Sequence, residues 1–152
     1  MPTRPSRLCC PAASERGLTL IELMIALAVL VIVASLVYPS FRDQALRSRL
    51  GDAFTALGDG RAQMEQYFLD HHSYSGGPCN ASVSVGSFAL VCPSAATASS
   101  YTLVATGSGA AAGFVYSIDH HGSQRTTGLP SRWGTVPSGG LPCWITRQGQ
   151  TC

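Results

Sequence analysis

The sequence predicts an α+β fold: a long N-terminal helix laid on a small antiparallel sheet, with the C-terminal end closed by a disulfide. Three observations predict it. An apolar run from Leu18 to Tyr38 passes into a stretch whose apolar residues recur at three- and four-residue steps. Three later segments alternate in the manner of strands. Four cysteines, Cys79, Cys92, Cys143 and Cys152, bracket that later region.

The helix comes first. Leu18 to Tyr38 reads LTLIELMIALAVLVIVASLVY and carries one charge, Glu22. A helix of that length reaches across a hydrocarbon core of roughly 30 Å. Arg4, Arg7 and Arg16 precede it, which keeps that end cytoplasmic and exports the rest. No small-residue cleavage site ends the run, so it does not read as an ordinary signal peptide. Cys9 and Cys10 lie before the apolar run, where a lipidated cysteine would follow it; they read as bystanders.

Beyond the run, Leu46, Leu50, Ala53, Phe54, Leu57, Met64 and Phe68 form an apolar stripe, with Arg47, Arg49, Asp52, Arg61 and Glu65 between them. This is an amphipathic helix that packs its stripe on a sheet. Pro39 removes a backbone donor and is expected to kink or locally open the helix. Gly58 and Gly60 weaken it further, each by roughly 1 kcal/mol relative to alanine.

The sheet follows. His71 to Pro78 is turn material. Ala81 to Val91 alternates weakly and is read as a disulfide-pinned loop between helix and sheet. Ser100–Thr106, Gly113–Ile118 and Ser123–Thr127 are read as strands, with Asp119-His120-His121-Gly122 as a hairpin turn. Gly107-Ser108-Gly109 is read as a connecting turn. Six cysteines in a small, loop-rich chain suggest disulfides and an oxidising compartment. Four cysteines allow three pairings; sequence neighbours favour Cys79–Cys92 and Cys143–Cys152.

Charge excludes some functions. The formal +2 resides in Arg4, Arg7, Arg16 and Glu15, so the chain from Leu18 onward is neutral. A neutral body argues against bulk electrostatic binding of nucleic acid. No serine sits in a nucleophile elbow, and no glycine loop with a lysine cradles phosphate. The expectation is therefore no enzyme, no catalytic residue and no cofactor. His71-His72 and His120-His121 are adjacent pairs on loops, which do not converge on one metal. Asp119 is the sole acidic residue after Asp70, too few oxygens for calcium. No metal site is expected.

Arg16-Gly17-Leu18-Thr19-Leu20-Ile21-Glu22 resembles the class III signal of type IV prepilins, where a basic leader ends in glycine and glutamate stands fifth in the apolar segment. The resemblance implies cleavage between Gly17 and Leu18 by a prepilin peptidase and N-methylation of Leu18, where phenylalanine is usual. It implies a pilin fold and an assembly role for Glu22 and Pro39. Physics supports the role of Glu22: a bare carboxylate in lipid costs roughly 2.5 kcal/mol or more, and the new amine of an incoming subunit's Leu18 would pair with it. The Tyr-Thr-Leu-Val-Ala strand, the Asp119–Gly122 turn and the Cys143–Cys152 closure around Trp144 are similar, more narrowly, to PilE-like minor pilins.

The expected organisation is a prepilin leader at 1–17, an apolar transmembrane and assembly helix at 18–45, and an exported head at 46–152. The expected function is structural: a minor pilin that joins or primes a type IV pilus. Its partners would be other pilins, the prepilin peptidase, the inner-membrane assembly machinery and, before assembly, the inner membrane. Three rivals stand beside it: a type II secretion pseudopilin, a DNA-uptake minor pilin, and a membrane-anchored periplasmic binding module that never polymerises. The DNA reading would need Arg125, Arg132 and Arg147 to gather with Trp133 and Trp144.

Overall fold

In the computed structural model of the chain, residues 17–152 are described, without the side chains of residues 36–40 and Asn80. The expectations for Arg4, Arg7, Cys9, Cys10 and Arg16, and for the Pro39 side chain, lie outside the described residues. A single helix, α1, spans Leu20–His71. The chain divides into two compact units, Met1–Pro39 and Ser40–Cys152, so α1 contributes to both.

In the N-terminal unit, α1 starts on a cap. The Glu22 amide donates to the Thr19 hydroxyl at 3.3 Å, placing Thr19 at the N-cap and Glu22 three residues into the helix. A threonine followed three residues later by glutamate is the capping-box pattern, and a carboxylate there also complements the helix dipole. The large apolar side chains from Leu18 to Val33 are exposed by 54–78 %, so nothing among the described residues covers them. Among the described residues no helix is long and apolar enough to cross a membrane. Helical backbone continues through Pro39, so the expected local opening does not appear as a break.

In the C-terminal unit, α1 buries its stripe as the spacing required. Leu50, Ala53, Leu57 and Met64 are fully covered and Leu46 nearly so, while Phe54 and Phe68 pack at the margin. Five strands form one antiparallel meander in sequence order: β1 Val83–Val85, β2 Phe88–Val91, β3 Thr102–Gly107, β4 Val115–Asp119 and β5 Gln124–Gly128. Their inward residues, Phe88, Leu90, Leu103, Ala105, Tyr116 and Ile118, complete the core. Burying each such large side chain contributes roughly 1.5–3 kcal/mol. Gly60, read as a weak point, has a use: a Cβ there would crowd Leu103 at 3.2 Å, so its bareness lets α1 approach β3.

The loop reading of Ala81 to Val91 is corrected. This segment is the β1–β2 hairpin, closed by the two-residue turn Gly86-Ser87, with Val85 opposite Phe88. Gly86 adopts φ +56°, which glycine reaches without a steric penalty. Gly-Ser between two apolar residues is a short-hairpin signal, and the strands were missed because β1 has only three residues.

Candidate functional site

The sequence nominated two surfaces, the N-terminal segment and the C-terminal face of the head. In the first, Gly17 and Leu18 are both exposed and precede the helix. An extended, uncovered backbone is what a peptidase requires. Glu22 is also exposed, one helical turn from Leu18. Reasoning from the motif overlooked the local duty of Glu22 in the first helical turn, although Thr-x-x-Glu signals it.

The second surface is built by the tail. The structure joins Cys143 to Cys152 and Cys79 to Cys92. The first bridge closes a loop that Gln150 knits internally. Its Oε1 accepts from the Thr146 amide at 2.9 Å and the Thr146 hydroxyl at 3.0 Å, and its amide nitrogen donates to the Trp144 carbonyl. The tail is then sewn to the sheet. Thr126 of β5 exchanges backbone hydrogen bonds with Leu141. The Thr126 hydroxyl, wholly buried, donates to the Cys143 carbonyl at 2.7 Å and accepts from the Ile145 amide at 3.0 Å. The Tyr116 hydroxyl donates to the Ile145 carbonyl at 2.7 Å. Burial pushes the Tyr116 hydroxyl well above the ordinary tyrosine range. These bonds seal the flank between α1 and β5.

Trp144 does not lie over its own loop. It stacks flat on Phe54 of α1, with centroids 4.7 Å apart, and donates from Nε1 to the Ser117 carbonyl. Trp133 sits edge-on against Phe114 at 4.8 Å. Both tryptophans are therefore half-buried packing groups rather than free faces on which bases could stack. Of the three nominated arginines, all exposed, the structure links two through the chain: Gln148, next to Arg147, donates to the Arg132 carbonyl at 2.6 Å. Arg125 is engaged elsewhere, donating to the Gly139 carbonyl at 3.0 Å. The tail thus holds the segments of Arg132 and Arg147 together, ties Arg125 to Gly139, and commits both tryptophans to packing against the head's phenylalanines.

The opposite end of the head holds a cluster that the sequence did not announce. Glu65 of α1 accepts from Tyr101 on one oxygen and from Tyr74 on the other, both at 2.9 Å. It clamps both ends of the segment from Tyr74 to Tyr101 onto the helix. Burial, then the bond to Glu65, raises the Tyr101 hydroxyl well above its ordinary range. Nearby, Asp119 accepts from the amides of His121 at 3.0 Å and Ser123 at 2.9 Å, tying the turn together. Burial works against ionisation of Asp119. The bonds from Ser123 and His121, with the neighbouring His120 charge, outweigh it and hold the carboxyl below the usual range. Among the described residues, no three histidines, cysteines or acids converge on a point that would hold a metal.

Comparison with known proteins separates the same two regions. Residues 13–38 match the family model of the prokaryotic N-terminal methylation motif. Residues 39–114, half of the chain, match the family model described as the type IV minor pilin ComP, DNA uptake sequence receptor. Arg125, Arg132 and Arg147 lie beyond that match. Among curated relatives, the chain is 36 % identical over 56 residues to the fimbrial protein EcpC of Eikenella corrodens, covering 37 % of each chain. It is 30 % identical over 73 residues to a fimbrial protein of Neisseria meningitidis serogroup B, covering 48 % of this chain and 43 % of the relative. It is 32 % identical over 57 residues to the type IV major pilin protein PilE1 of Neisseria gonorrhoeae, covering 38 % of this chain and 34 % of the relative. The chain thus spans between about a third and somewhat over two fifths of these relatives' length. No solved structure matches. An N-terminal methylation motif runs directly into a minor-pilin domain whose helix, sheet and disulfides have been described above, and the chain belongs to the type IV minor pilin family.

Proposed function

We propose that this minor pilin is a structural, non-enzymatic subunit, cut between Gly17 and Leu18, methylated at Leu18, held in the inner membrane and then built into an extracellular type IV pilus with other pilins. The observation that carries this reading is the contrast between the two units. From Leu18 to Val33 the large apolar side chains are left 54–78 % exposed, interrupted by the Glu22 carboxylate, while the head buries most of its own stripe. Such a surface demands lipid or apolar neighbours. A bilayer supplies the first, and the apolar segments of other pilins the second. Glu22 then pairs with the amine of an incoming Leu18, and each offsets the other's burial cost. Pro39, which lacks a backbone donor, marks the place where the helix yields during packing. The prepilin peptidase and the inner-membrane assembly machinery are the partners this route requires.

The chain contains no lysine, and no arginine lies between Leu18 and Arg42, so trypsin releases the new N-terminus as one peptide ending at Arg42. Mass spectrometry of sheared filaments is expected to find that peptide beginning at methylated Leu18. A Glu22→Ala chain is expected to be processed yet scarce in filaments. Recovery only of the peptide beginning at Gly17, which trypsin releases from an unprocessed chain by cutting after Arg16, would defeat the reading.

A second reading is favoured by the family match, whose description includes a DNA uptake sequence receptor. After α1 the head carries Arg125, Arg132 and Arg147 against one acid, Asp119. Arg132 and Arg147, held on adjacent segments by Gln148, would take backbone phosphates. The half-buried tryptophans would not serve as stacking platforms. The test is binding of duplex DNA to the full chain in detergent, across a salt series. Replacing Arg132 and Arg147 together by alanine is expected to lower the salt slope by about 2. Absence of binding at low salt would end the DNA reading and leave the structural one standing.

A further inference from the structure

The two flanks of the helix–sheet sandwich are finished differently. At β5 the tail seals the gap with Thr126, Ile145 and Trp144. At β1 the described residues supply no seal. A cavity of about 300 Å³ opens there between α1 and the sheet, floored by Ala56, Leu90 and Leu103 and flanked by Val83 and Val85. Its rim carries Asp52 and Asp59, two helical turns apart on one face of α1, and no cation lines it. Asp52 also lies against Gly86 in the β1–β2 turn, so one carboxylate stands at the end of the strand.

The strand edge itself is unused. Val85 and Phe88 close a two-residue hairpin, so they exchange both backbone hydrogen bonds. The next residue, Ser84, then points its N–H and C=O away from β2. Among the described residues nothing pairs with them. An unpaired edge beside an apolar cavity with an acidic rim offers three complementary features at once: main-chain hydrogen bonds, a place for apolar side chains, and a preference for positive charge.

We propose that β1 and this cavity form a docking site for an extended segment of a partner protein whose α1-facing residues, every second one along the strand, are in turn apolar and basic. The segment adds as a sixth strand along Ser84. Its apolar side chains enter the cavity, and its cationic ones meet Asp52 and Asp59. The acidic rim repels nucleic acid, so this surface is separate from the arginine-bearing tail and does not depend on it.

The experiment measures binding of a fluorescent, end-blocked peptide repeating Arg-Thr-Val-Thr, which sets arginine and valine in turn on one face of a strand, to the full chain in detergent, with amide exchange read at Ser84. Binding with protection of the Ser84 amide is expected. Ser84→Pro removes the outward donor from an amide the hairpin does not use, and is expected to weaken binding at least tenfold with the head still folded. Asp52→Asn with Asp59→Asn is expected to weaken it about three- to tenfold at low ionic strength. Thr55→Trp, from an exposed position on the rim, is expected to block the cavity. Equal binding of the same peptide with glutamate in place of each arginine, or wild-type binding by the Ser84→Pro chain, would overturn the proposal. So would protection of Ser84 in the chain alone with self-association, which would make the occupant a second copy.

Discussion

Thr126 is the node of the tail closure, and replacing it by valine tests the closure directly. Valine reproduces its shape without the hydroxyl. The change strands two groups, the Cys143 carbonyl and the Ile145 amide, which now bond that hydroxyl at 2.7 and 3.0 Å. Thr126 is wholly buried and Ile145 is 1 % exposed, so water does not readily replace the lost partner. Each orphaned group costs about 1–3 kcal/mol, for a gross loss of about 2–6 kcal/mol. Burying a methyl in place of the hydroxyl returns less than about 1 kcal/mol. The net loss, about 1–5 kcal/mol, is a large part of the 5–15 kcal/mol typical of a domain. The assay is urea unfolding of the full chain in mild detergent, followed by far-ultraviolet dichroism and by tryptophan fluorescence. Trp144 adjoins Ile145, so release of the tail alone would shift the fluorescence midpoint ahead of the dichroic one. A loss below about 1 kcal/mol, with coincident midpoints, would show that the hydroxyl does not hold the tail.

Three further predictions concern the head. A Cβ at Gly107 would be driven into the Ala111 carbonyl oxygen, so Gly107→Ala is expected to cost about 1–3 kcal/mol in urea unfolding. Asp119 titrates below its ordinary value in the fold, so its contribution is present above about pH 4, the unfolded value, and is lost as pH falls through the folded one. Asp119→Asn keeps an acceptor for both amides but does not ionise, and is expected to flatten the acid limb of stability against pH. Tyr101 and Tyr116 titrate above their ordinary value, so stability is full below about pH 10 and declines above it. Tyr116→Phe is expected to make that alkaline decline shallower, measured as urea midpoints across the range.

Periodicity made much of this molecule legible. The stripe from Leu46 to Met64 needed only the helical repeat, because the part of the helix that rests on the sheet must bury one face. Strands β3, β4 and β5 were readable to within two residues at their starts because their flanking turns use Gly, Ser and Asp. β1 and β2 were not, since a strand of three residues has too few alternations to distinguish it from a loop. Glu65 illustrates a different barrier. It appeared as one polar residue between apolar ones, and nothing local foretold that tyrosines nine and 36 residues away would share its carboxylate. Trp144 was unreadable for the same reason: its partner, Phe54, is 90 residues distant, and stacking at that range depends on how the tail is laid down.

By itself the sequence determined the local and the periodic. The apolar run, the Gly17-Leu18 motif with its glutamate, the amphipathic stripe and the cysteines able to bridge short loops all act within a few residues. Their physics is fixed by chain geometry. Tertiary structure alone decided which surfaces remain. It turned both tryptophans inward, joined Arg132 to the loop of Arg147 while leaving Arg125 apart, and sealed the β5 flank while leaving the β1 edge open. Exposure at a site is the balance of every segment competing to cover it, and segments far apart in the chain meet only once the whole head has folded.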